Sequence, residues 1–324
     1  MMFAGLPRND SAWVRALDSA EIPVLRRTVE ELARLREHEE RVIARDIARV
    51  LLHDPMFTLQ VLRYLQTHRR AAQITDITTV EHALMMLGIT PFFEHFGDLP
   101  AVESMLAGRP LALDGLMHVV CRAHHAALYA YDWANVRYDR RADEVAIAAL
   151  LHDIAEMLLW CFAPEMSLRI AALRRADASL RSSAAQARVL GFKFADLQGA
   201  LIAEWKLAAL LQSLMDDMHA THPRVMNVAL AVDLARHSAY GWDNPALADD
   251  YAEIQQFLKL PPPEVLARIR RTALQAETAR DWYRLEAVPI PLDLAQCSPG
   301  VQDWAKSDDS ERMARNAGDA GFDG

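Results

Sequence analysis

His152 and Asp153 stand side by side in a stretch that holds little else polar. It runs Glu144-Val-Ala-Ile-Ala-Ala-Leu-Leu-His-Asp-Ile-Ala-Glu-Met-Leu-Leu-Trp160. Val145, Ile147, Leu150, Leu151, Ile154, Met157, Leu158 and Leu159 leave little of a helix surface for water. A carboxylate placed there loses its hydration and needs a metal, a cation or several hydrogen-bond donors. His118, His124, His125, His219, His222 and Asp233 could join the pair around a divalent metal. His118 lies on the preceding helix, and Asp233 sits inside the apolar Val228-Ala-Leu-Ala-Val-Asp-Leu-Ala235. Imidazoles and carboxylates from several antiparallel helices are how helical bundles hold metals. The other reading is a buried polar pair, in which Arg122, Lys206 or a second histidine neutralises Asp153. His124, His125, His219 and His222 are read as surface or rim residues. Trp160 and Trp205 are read as core anchors, and Met85 and Met86 as packing.

The elements that must position these groups read as helices. In residues 24–52, Val29, Leu32 and Leu35, then Val42, Ile43, Ile47, Val50 and Leu51, follow the helical period. They predict one long amphipathic helix or a broken pair. Asp54-Pro55 starts the next, with Asp as cap and Pro in the first position. Thr78-Thr-Val-Glu81 has the capping-box pattern, and the helix it opens stops at Gly88; Thr90-Pro91 begins another. Further helices are predicted near 114–133, 142–161, 164–176, 179–190 (ending at Gly191), 195–204, 207–219 and 224–239. Residues 245–283 are again helical, interrupted at Pro261-Pro-Pro263. No run alternates as a strand would. Residues 298–324 lack apolar periodicity and read as disordered.

The whole chain sets outer bounds. Its 324 residues suit roughly two domains at about 150 each. A net charge of -9 argues against nonspecific nucleic-acid binding. Three cysteines without CxxC spacing indicate neither a disulfide framework nor a zinc knuckle. The first residues lack a basic flank and a signal-like apolar core. No apolar run is read as reaching the roughly 18 residues that span a bilayer. The expectation is a cytoplasmic protein with no membrane contact.

The order His118, His152-Asp153, Asp233 resembles that of the ligands in the HD phosphohydrolase superfamily. The resemblance implies one or two divalent metals (Mn, Fe, Zn, Mg or Ni) that activate water against a phosphate ester. The chain is more similar to the HDOD family, the HD-related output domain of bacterial signalling proteins. The similarity rests on Ile22-Pro23, on Asp54-Pro-Met-Phe-Thr-Leu-Gln-Val-Leu-Arg63 and on Ile74-Thr-Asp-Ile-Thr-Thr-Val-Glu-His-Ala-Leu-Met-Met-Leu-Gly88. Ala148-Ala-Leu-Leu-His-Asp-Ile154 and Gln198-Gly-Ala-Leu-Ile-Ala-Glu-Trp-Lys-Leu207 complete it.

The departures from these patterns bear on chemistry rather than fold. HD hydrolases commonly follow the pair with Ile-Gly-Lys, whose lysine suits a substrate phosphate. Here Ala155-Glu156 replaces Gly-Lys, and Glu156, one turn after His152, would repel phosphate. Phe194 stands where the family usually has a histidine, and it cannot bind metal. Gln66-Thr67 replaces the usual Asn-Ser.

The sequence therefore predicts an all-α protein: an HD-like helical bundle with an N-terminal helical subdomain. A 1–20 extension precedes an HDOD-like domain at 20–215, split into 20–108 and 109–215. A helical extension at 216–285 and a flexible tail at 286–324 follow. The predicted function is a non-enzymatic signalling module acting through a protein partner or a small ligand, with the groove between the two subdomains as docking surface. The alternative is a metal-dependent phosphohydrolase of nucleotides or cyclic nucleotides, with His118, His152, Asp153 and Asp233 as ligands and Glu156, His219 and His222 at the rim. A third possibility is a nucleotide sensor that binds without turnover.

Overall fold

Asp54 explains how the N-terminal helices assemble. A computed structural model describes residues 7, 10–68, 80–177, 180–215, 221–297 and 300–305. In it α1 is Asp10–Asp18, α2 Arg26–Arg36, α3 Ala44–Leu51 and α4 Pro55–Thr67. The Asp54 carboxylate caps α4 by accepting from the Phe57 N–H at 3.0 Å. It also accepts from the Leu25 N–H at 2.7 Å and the Thr28 hydroxyl at 2.9 Å, so one side chain ties the starts of α2 and α4 together. Burial pushes this carboxyl up to about 6, against the pull of those donors. Next to it Val24 makes an isolated parallel bridge to Ala101, donating to the Pro100 carbonyl and accepting from Val102.

Then come α5 (Val80–Leu87), α6 (Ile89–Phe96) and α7 (Val102–Met105). Gly88, at φ 88°, separates α5 from α6 in a conformation that suits glycine. Phe57, Phe92 and Phe96 pack in this part of the core. The predicted 24–52 segment is a broken pair, parted by a 3-10 turn at Glu39–Arg41. Thr78 and Thr79 of the predicted capping box lie outside the described residues. Met85 and Met86 are exposed rather than packed, because α5 turns Val80 and Leu84 inward.

The second half is organised on α8 (Pro110–Val136), which packs against α9 (Ala142–Leu151), α10 (Ile154–Phe162) and, later in the chain, α15 (Pro223–His237) and α17 (Pro262–Glu277). Gly115 lets α8 and α10 approach: a Cβ there would lie 2.5 Å from the Trp160 ring. Between α10 and α15 run α11 (Pro164–Ala176), α12 (Ser182–Leu190), α13 (Phe194–Glu204) and α14 (Ala209–Leu214). α12 stops at left-handed Gly191. α1 packs on α13, and Trp13 meets Phe192 edge-on. Arg224, at the start of α15, binds Asp139 at 2.7 Å and buried Glu144 at 2.8 Å, fastening α15 to the α8–α9 corner. α16 (Leu247–Leu258) precedes α17. No strand is present among the described residues.

Three expectations are corrected. The predicted 142–161 helix is two helices. The Ala155 N–H donates to Gln198 Oε1 and the Leu151 carbonyl accepts from Gln198 Nε2, each at 2.9 Å. A side-chain amide is thus inserted where the Ala155–Leu151 bond of one continuous helix would lie. The stretch Ala142–Phe162, 21 residues long and with an 18-residue window of mean hydropathy 1.8, does have the length and apolarity of a membrane span. Of that window 83% is buried inside the protein, which accounts for its composition. Finally, residues 300–305 of the expected flexible tail are helical: Val301 is buried and the Trp304 indole donates to Gln255 at 2.9 Å. Residues 306–324 lie outside the described set.

Candidate functional site

The inserted Gln198 amide places His152 and Asp153 at a corner, His152 closing α9 and Asp153 opening α10. The corner points the Asp153 carboxylate at α8. Arg122 meets it there, donating to the same oxygen, Oδ2, from Nε at 3.0 Å and Nη2 at 2.7 Å. Nη2 also bonds the Glu156 carboxylate, one helical turn on. The other Asp153 oxygen has His152 Nδ1 at 3.3 Å and Arg236 Nη2 at 3.7 Å. Arg122 and Asp153 side chains are each 14% exposed, so little water shares in these bonds.

The electrostatics follow from that geometry. Burial by itself would raise the Asp153 carboxyl. Arg122, the His152 hydrogen bond and Arg236 together outweigh burial and hold it well below the usual carboxylate range. Burial likewise opposes the charge on Arg122, and Glu156 and Asp153 outweigh it, so the guanidinium stays firmly protonated.

The proposed ligands do not converge. His118 turns its Nδ1 to the Asp114 carbonyl at 2.9 Å and stacks on Tyr240 at 5.3 Å. Asp233 is on the same helix as Arg236 and bonds it at 3.0 Å, but its side chain is 47% exposed. Glu156 serves Arg122. His222 caps α15, accepting from the Arg224 N–H at 3.3 Å; at the helical rise it is about 16 Å along the axis from Asp233. His219 lies outside the described residues. Lys206 is exposed. Among the described residues no three His, Cys, Asp or Glu side chains group as metal donors. As placed, the donor set does not fit a divalent cation: both Asp153 oxygens already face cationic or donor groups.

Other residues depart from their reading too. His124 is buried, not at the surface, because its ring packs between α8 and the turn after α3. His125 is partly buried beside Cys121. Trp160 and Trp205, by contrast, are buried in the core as read, and Arg63 lies over the Trp205 ring at 4.5 Å. Phe194 starts α13, its N–H bonded to Gln186. Arg236 was absent from the sequence reading, although its place three residues after Asp233 was a usable signal. His118, Cys121, Arg122, His125, Trp242 and Arg280 line a shallow cleft with room for little more than a water molecule.

A helical bundle with a His-Asp corner, preceded by helices pinned through a buried aspartate, defines an all-α protein of the HD type. The chain belongs to the HDOD family, whose domain model matches residues 22–221. The fold is shared with solved structures of low identity. A virulence factor from Campylobacter jejuni subsp. jejuni is 16% identical, with a TM-score of 0.59 over 83% of this chain and 100% of that one. The MmoQ response regulator from Methylococcus capsulatus str. Bath is 18% identical, with a TM-score of 0.52 over 74% and 98%. No curated protein matches the chain.

Proposed function

We propose that this chain is a non-enzymatic signalling module in which Arg122 serves as the counter-ion of Asp153 in place of a metal. The observation that carries the reading is the pair of bonds from Arg122 to one Asp153 oxygen. A guanidinium neutralises a buried carboxylate but activates no water. Glu156 adds a second negative charge where a phosphate-binding lysine would be needed. The description of one similar structure as a response regulator is in keeping with a signalling role. Such a module acts through a protein partner or a small ligand.

The test is a screen of phosphodiesters and nucleotides with added Mn²⁺. The reading predicts no turnover above that of Asp153→Ala. Turnover lost in a folded Asp153→Ala variant would instead establish the hydrolase. Thermal shifts with a nucleotide panel separate a small-ligand sensor from a protein adaptor, since a ligand of the native state stabilises it.

A further inference from the structure

Three segments distant in sequence meet where the N-terminal helices abut α8. His53 comes from the turn between α3 and α4, His124 from α8, and Trp282 from the 3-10 turn Arg280–Trp282 after α17. The His53 ring is 4.4 Å from the Trp282 indole at 9° and 4.6 Å from the His124 ring at 21°. Two rings so nearly parallel to His53, and so close, must lie on its opposite faces. Each imidazole directs Nδ1 at a main-chain carbonyl, His53 at Arg49 (2.7 Å) and His124 at Leu52 (3.3 Å). A carbonyl only accepts, so Nδ1 carries the hydrogen in both neutral rings. Tyr283 continues the contact, donating to the His53 carbonyl at 3.2 Å with its ring 6.0 Å from His124. Residues 282–283 therefore cover the junction between the N-terminal helices and α8, and Arg280, Leu285 and Val288 line the cleft beside it.

We propose that the Trp282–His53–His124 stack is an acid-sensitive latch, which holds the 280–288 segment over this junction while both imidazoles are neutral and releases it when they are protonated. The surroundings oppose positive charge. From α2, Arg27 lies 5.8 Å from the Trp282 ring. From α17 and the turn after it, Glu277 and Arg280 face each other. On α8, His125 adjoins Cys121. At the start of α4, the Asp54 carboxylate is engaged by Leu25, Thr28 and Phe57. Thus Asp54 and Glu277 already have partners, Asp281 of the same turn is exposed to water, and the two nearby guanidiniums add to the positive field.

The titration behaviour agrees with this geometry. Burial lowers His53. Burial, then the neighbouring His53 and His125, holds His124 well below the ordinary histidine range. Burial, then Arg280, holds His125 at about 4. Groups depressed in this way favour the closed form above the ordinary histidine value of 6.5 and oppose it as pH falls below that value.

Hydrogen–deuterium exchange of the full chain between pH 7.5 and 5, corrected for intrinsic exchange, tests the latch. Peptides over 280–288 should lose protection on acidification, by about tenfold per pH unit for each proton taken up, while α9 and α10 stay protected. A His53→Phe, His124→Phe double variant keeps aromatic rings in the stack with no proton to gain there; only His125 then still titrates beside Arg280, so its 280–288 protection should fall much less than that of the wild type. If the double variant does not fold, His53→Phe alone provides the comparison. Three results would overturn the latch: protection of 280–288 that does not change with pH, loss in step with α9 and α10, or equal loss in the variant.

Discussion

Arg122 and Asp153 form the central ion pair of the HD corner, with two guanidinium nitrogens on one carboxylate oxygen. Removing Arg122 leaves the buried Asp153 with only His152 and the more distant Arg236, and takes from Glu156 its guanidinium partner. Arg122→Met should cost about 3–5 kcal/mol of stability at pH 7, measured by urea unfolding. Replacing both, as Arg122→Met with Asp153→Leu, should restore part of that loss, and adding Glu156→Gln, which removes the last unpaired carboxylate, should restore more.

The pair also predicts an acid dependence. The Asp153 carboxyl is held down, so the unfolded chain binds its proton more readily. The stability it contributes is complete above the unfolded value of 3.8 and is lost as pH falls through 3.8 towards the folded value. Unfolding of Asp153→Asn across pH 5 to 3 should lack this component.

Gln198 is the least conspicuous residue of the site. Its amide satisfies the Leu151 carbonyl and the Ala155 N–H that the broken helix leaves free. Gln198→Leu leaves both buried groups without that partner and should cost about 1–3 kcal/mol for each. Gln198→Glu keeps the acceptor for Ala155 but loses the donor to Leu151. The new carboxylate is also buried against that carbonyl oxygen, so thermal unfolding at pH 7 should rank Glu as the more damaging.

Two other buried groups respond to acid in opposite senses. His125 falls from 6.5 to about 4 on folding, roughly 3 kcal/mol that is present above pH 6.5 and lost as pH falls towards 4. Asp54 rises from 3.8 to about 6. The folded chain therefore binds its proton more tightly, and roughly 3 kcal/mol is lost as pH climbs from 3.8 to 6. The two largely cancel in the wild type. His125→Phe should gain stability relative to wild type as pH falls from 6.5 to 4, and Asp54→Asn should gain as pH rises from 4 to 6.

How much of this was legible depends on range. The Asp54-Pro55 cap, the stop at Gly88 and the end at Gly191 are local signals, and each recurs in the structure. Arg122 was one of three named partners for Asp153, since burial demands a counter-charge but does not choose it. The break between α9 and α10 was hidden because its cause, Gln198, lies over forty residues away and every residue across the break suits a helix. Helical phase placed Asp233 near the corner but could not show that Arg236 would take the Asp153 side. The stack of His53, His124 and Trp282 joins three segments that no spacing relates. The helical turn at 300–305 carries too few apolar residues to show a period.

The most direct test of the central claim is elemental analysis of protein purified from cells supplied with Mn, Fe, Zn and Ni. With Arg122 as the counter-ion of Asp153, divalent metal should remain far below one ion per chain. About one ion per chain in the wild type, lost in a folded Asp153→Ala variant, would contradict it.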